Sequence, residues 1–172
     1  MPELNYLRQD RKWTGSKDFI THVDFKLDHG KAGMELYDIF PGVQLMVNEF
    51  FAESCFRTGE KENVIGINHC FRGRFECAFD SRSFLYMGEG DISINSQMHP
   101  PISSSFPLNY FFGSTIILYP EQSKGVPELE AFGIRAEAIA EKFSLDSKCP
   151  VFRRNEAVEH VYRELYGNLA KP

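Results

Sequence analysis

Val64-Ile65-Gly66-Ile67-Asn68-His69-Cys70-Phe71-Arg72-Gly73-Arg74-Phe75-Glu76-Cys77-Ala78-Phe79 carries a period of two. Ile65, Ile67, His69 and Phe71 share one parity, and Phe75, Cys77 and Phe79 continue it beyond Arg72-Gly73-Arg74. Such alternation marks strands with one buried face. A three-residue loop centred on Gly73 predicts a hairpin in which Phe71 faces Phe75 and His69 faces Cys77. The large apolar side chains then share one face and Glu76 points the other way.

The surrounding chain has the same texture. Phe19, Thr21, Val23, Phe25 and Leu27 alternate with Ile20, His22, Asp24 and Lys26 until Asp28-His29-Gly30 breaks the pattern. Pro41-Gly42 opens an extended run, Val43 to Asn48, that leads into Phe50 and Phe51. A further hairpin is predicted from Phe84-Leu85-Tyr86-Met87 through Gly88-Glu89-Gly90-Asp91 into Ile92-Ser93-Ile94-Asn95. The loop His99 to Pro107 is excluded from a central strand because its prolines lack the ladder donor, and Tyr110 to Tyr119 resumes as a strand.

Beyond Pro120 the periodicity changes. Pro127 to Phe132 opens as a short helix with proline in its first turn, Gly133 separates it from a second helix over Ala136 to Phe143, and Asn155 can cap a third. In that last helix Val158, Val161, Tyr162 and Leu165 fall at i, i+3, i+4 and i+7, Glu159 and Arg163 form an i,i+4 pair, and Gly167 is the expected stop. Short strands followed by a block of helices predict a mainly β barrel or sandwich, with residues 1–120 forming the barrel and 121–172 a helical appendage of two to three helices.

At 172 residues, 42% of them hydrophobic and 16 of them Phe, the chain can bury one sizeable core. It has no apolar run long enough for a membrane span and no signal-peptide order at Met1-Pro2-Glu3-Leu4-Asn5, so a soluble, cytoplasmic protein without a membrane partner is expected. Cys55, Cys70, Cys77 and Cys149 lack zinc spacing and are expected as free thiols. A formal charge of −5 leaves no bulk basic face for a phosphate backbone.

Candidate chemistry is sparse. His69, Glu76 and His99 are the metal-ligand candidates, but the first two fall on opposite parities and the chain has no His-x-His pair, so neither a metal nor another cofactor is expected. No Gly-x-Ser-x-Gly elbow occurs, and Ser103-Ser104-Ser105 has no identifiable base beside it, so no catalytic residue is assigned. Leu129 to Phe143 has the outline of a helix-turn-helix. Its Glu128, Glu130, Glu137 and Glu141, opposed only by Arg135 and Lys142, would repel a duplex. The aromatic load instead fits a barrel interior and rim that take one small ligand, lined by Ile67, His69, Phe71, Phe75, Tyr86, His99 and Phe106. Each of these is equally a candidate for plain core or turn.

Three segments in order, Ile67 to Cys77, Gly88 to Asn95 and His99 to Pro107, together resemble the N-terminal domain of AraC-type transcriptional regulators. The similarity runs from about Val43 to Tyr166 and includes Glu164-Leu165-Tyr166; Glu89 stands where many cupins have a proline before Gly-Asp. The resemblance implies a cupin-like (double-stranded β-helix or jelly-roll) barrel that senses a small-molecule or peptide effector, and helices through which two chains form a homodimer. Val158, Val161, Tyr162 and Leu165 are the candidate dimer stripe, which can equally lie on its own barrel. It also implies a helix-turn-helix domain, through which alone DNA would be bound; none follows before Pro172, so a truncated piece of a longer regulator is expected. Two alternatives are a small metal-dependent cupin isomerase or oxygenase and a stand-alone cupin binding protein.

Overall fold

The computed structural model describes residues 20–27, 29–55, 63–79, 82–144 and 149–169. Ten strands precede and interleave with three helices: β1 (Ile20–Leu27), β2 (Gly30–Phe40), β3 (Val43–Ala52), β4 (Ile65–Gly73), β5 (Phe75–Ala78), β6 (Phe84–Met87), β7 (Ile92–Ser96), β8 (Ser103–Ser105), β9 (Phe111–Leu118), α1 (Pro127–Ala131), α2 (Ala136–Ser144), β10 (Val151–Phe152) and α3 (Glu156–Leu169). A seven-stranded sheet runs β1-β2-β3-β9-β4-β7-β10 and a three-stranded one runs β6-β5-β8. Among the described residues every strand pairing is antiparallel. The sheets face each other across Ala32, Met34, Phe50, Phe106 and Phe111 from one side and Cys77, Leu85 and Met87 from the other. This is a mainly β barrel of two facing antiparallel sheets with C-terminal helices.

Both predicted hairpins are corrected. β4 pairs with β7 and β9, whereas β5 pairs with β6 and β8, so the chain leaves one sheet at Gly73 and enters the other after Arg74. Gly73 has φ +92°, and a Cβ there would lie 2.2 Å from the Tyr110 carbonyl oxygen, so the crossing requires glycine. A bulge between Cys70 and Arg72 also breaks the parity. His69 and Phe71 consequently face α3 outside the barrel, while Phe75 and Cys77 join the interior. β6 and β7 are likewise in different sheets. The turn between them forms as a compact unit in which the Gly88 N–H donates to Asp91 Oδ2 at 2.9 Å.

β2, β8 and β10 add strands that the sequence reading left out, and β8 is an edge strand, consistent with its prolines nearby. α3 passes through Gly167 to Leu169 instead of stopping there. Its first turn is capped as expected, with the Ala157 N–H donating to Asn155 Oδ1 at 3.0 Å. Outside the barrel, Val43, Ile65 and Leu118 form one buried cluster with Val126, Leu129 and Ala136 of the α1–α2 region. Thus the β3-β9-β4-β7 wall has the barrel interior on one side and helices on the other. Among the described residues, no helix is long and apolar enough to cross a membrane.

Candidate ligand site in the barrel

Strand alternation sends every second side chain of that wall inward. Met46, Asn48 and Phe50 of β3, Gly66 and Asn68 of β4, Ser93 and Asn95 of β7, and Phe111, Thr115 and Ile117 of β9 border a cavity of about 190 Å³. Phe75, Cys77, Leu85 and Met87 close it from the second sheet, and Phe106 from the segment before β9. The aromatic side is tightly built: Phe106 lies 4.7 Å from Phe50 and 5.4 Å from Phe111 between ring centroids. Among the described residues that line the cavity, none is acidic, basic or a histidine.

Two kinds of amide meet this space. Asn68 Nδ2 donates to Asn95 Oδ1 at 2.6 Å and to Ser93 Oγ at 3.1 Å, and Asn68 Oδ1 accepts from Thr115 Oγ1 at 2.9 Å. Those three bonds occupy both ends of the Asn68 amide. Asn48 is 5% exposed and its Oδ1 has no hydrogen-bond partner, between Met46 and Phe50 along the strand and opposite Met34 on β2. A buried, unpaired amide oxygen costs free energy unless something brought into the cavity donates to it.

Cys55, Cys77 and Cys149 also line the cavity, and all four cysteines are free. Burial pushes the Cys55 thiol up to about 11 and those of Cys77 and Cys149 up to about 12. They remain protonated at neutral pH and behave as soft apolar lining instead of nucleophiles.

One residue along the same strands, the outward side chains grip α3. His69 is 1% exposed; its ring stacks on Tyr162 with centroids 3.8 Å apart and planes 6° apart. His69 Nδ1 is 3.2 Å from the Tyr166 hydroxyl, which donates to Ser114 Oγ at 3.0 Å. The buried Nε2 is the ring nitrogen without a partner. Burial holds the imidazole down at about 4, opposed by the nearby Glu159 carboxylate. The ring under α3 is therefore neutral at pH 7.

The seven candidate lining residues separate. Phe75 and Phe106 border the cavity. Ile67, half-buried, packs with Ile94 and Ile116 beneath the helices, and His69 and Phe71 lie under α3. Tyr86 is exposed beside Phe84 with the Arg74 guanidinium over its ring, and His99 is exposed in its loop. The α3 stripe also divides: Tyr162 is buried on the barrel, Leu165 is half-buried, and Val158 and Val161 are exposed at 36% and 62%. Asn48, Asn68 and Asn95 were not among the expected lining residues. The usable signal was an amide at an interior parity between Met46 and Phe50. Among the described residues, no three His, Cys, Asp or Glu side chains converge as a metal-binding group.

No protein-family profile matches the chain, and no curated protein matches it. Among solved structures it is similar to oxalate decarboxylase from Bacillus subtilis (12% identity, TM-score 0.44, covering 78% of this chain and 39% of that one). It is also similar to vicilin from Capsicum annuum (11%, 0.42, 89% and 49%). A third is an HTH_3 family transcriptional regulator from Vibrio cholerae (15%, 0.39, 51% and 51%). The alignments span about half or less of those chains.

Proposed function

We propose that this chain is a non-enzymatic sensing and dimerisation domain of an AraC-type transcriptional regulator. In this reading a small molecule occupies the barrel cavity, two chains associate through α3, and DNA is bound by a separate domain. The observation that carries it is the thinness of the wall between cavity and helix. Asn68 and Thr115, paired across β4 and β9, face the cavity, while the adjacent pair His69 and Ser114 holds Tyr166 of α3. A ligand that shifts β4 against β9 inside thus changes the seat of α3 outside, which is the differential contact that a population shift requires.

The exposed Val158 and Val161, next to the face already fixed by Tyr162 and Tyr166, supply the apolar edge for a second α3. The −5 charge fits a domain that leaves DNA contact to another.

Native mass spectrometry of the chain under reducing conditions tests this directly. A metal-free dimer is expected, and Val161→Glu should give a monomer with unchanged far-ultraviolet circular dichroism. A monomeric wild type, or a stoichiometric iron, manganese or zinc ion, would overturn the proposal and favour a metal-dependent cupin enzyme.

A further inference from the structure

Building on the sensor reading, we infer that the effector class is a small, neutral, largely aromatic molecule bearing an O–H or N–H donor, with that donor bound by Asn48 Oδ1. Three constraints converge on this class. The cavity, about 190 Å³, is of the order of the roughly 150 Å³ apolar cavity known to hold one benzene molecule, so one ring with a short substituent fits. Its lining has no acidic, basic or histidine side chain among the described residues, and its thiols are protonated, so a carboxylate or ammonium would be buried without a counter-charge. The rings of Phe50, Phe106 and Phe111 offer faces and edges to a flat ligand.

The buried, unpartnered acceptor calls for a donor on the ligand. Both Nδ2 bonds and the carbonyl of Asn68 are committed to Ser93, Asn95 and Thr115. Among the described residues that border the cavity, Asn48 has a buried side-chain oxygen, Oδ1, without a hydrogen-bond partner. A ligand with an O–H or N–H donor supplies the partner that Asn48 Oδ1 lacks. A wholly apolar ligand would fill the space and leave Oδ1 sealed from water.

The test titrates the full chain, with [methyl-13C]methionine, using phenol, toluene and benzoate as probes. Met34, Met46 and Met87 line the cavity and their methyl resonances report occupancy. Transfer alone ranks toluene above phenol, because the hydroxyl must be desolvated. With Asn48 as acceptor, phenol should bind about tenfold tighter than toluene, with benzoate weakest. Asn48→Ala should restore toluene to first place, and Asn48→Val, better suited to a strand, serves if the alanine variant does not fold.

Toluene or benzoate binding tightest to the wild type, an unchanged order in both variants, or no saturable shift with any probe would overturn the inference. Sedimentation of the same samples separates it from the sensor reading. A monomer with the phenol-first order keeps the ligand class and sinks the dimeric sensor; a dimer with another order does the reverse.

Discussion

His69 makes the seat of α3 pH-dependent by an amount that follows from its burial. The ring is stacked on Tyr162 at 3.8 Å, bonded to Tyr166 and edged by Phe71, with the Glu159 carboxylate near enough to favour its charged form. The folded chain holds the imidazole at about 4 against an ordinary value of 6.5, so the unfolded chain takes up the proton first. Above pH 7 this contributes nothing; the penalty on the folded state grows as pH falls from 6.5 and levels off below 4. From pH 7 to pH 5 the loss works out at about 2 kcal/mol, at 1.36 kcal/mol per pH unit once the folded state resists protonation. Stopping at pH 5 keeps most carboxylates ionised.

Urea unfolding of the wild type and of His69→Phe at pH 7 and pH 5 is the assay. Phenylalanine preserves the stack on Tyr162 and removes both the titration and the orphaned Nε2, so the two proteins should differ by about 1 kcal/mol or less at pH 7. At pH 5 the wild type should have lost about 2 kcal/mol more than the variant. Comparison with the variant cancels the other histidines. Equal acid losses in both proteins would refute the buried, neutral His69 and the clasp of α3 built on it.

Two further perturbations test the sheet crossings. Asp91→Ala removes the buried carboxylate that accepts from the Gly88 N–H and pairs with Arg153, and should cost about 2 to 3 kcal/mol in urea unfolding, with a wild-type midpoint as the contrary result. Gly73→Ala forces an L side chain onto φ +92° and against the Tyr110 carbonyl, and should cost on the order of 3 kcal/mol. A cost within 0.5 kcal/mol, about the size of an ordinary surface change, would show that the crossing tolerates a hairpin-like turn.

Those crossings also explain how much was legible in the sequence. Alternation over 65–79 and the Gly88–Asp91 turn revealed strands and turns, and the class of fold follows from them. Partnership did not, because a glycine between two apolar runs has the same local chemistry whether the chain folds back on itself or crosses to a facing sheet. The site was misplaced for the same reason. Reading Phe71 and Phe75 across a hairpin put His69 inside with Cys77, whereas the Cys70–Arg72 bulge and the crossing at Gly73 separate them onto opposite sides of the wall. Once β4 is seen to have one face in the cavity and the other under a helix, its polar residues acquire different tasks. Asn68 bonds to Ser93, Asn95 and Thr115 within the barrel, and its neighbour His69 contacts Tyr166 of α3. The two environments are thus one peptide unit apart along β4, and the proposed sensing function is tested by measuring ligand occupancy and helix position together.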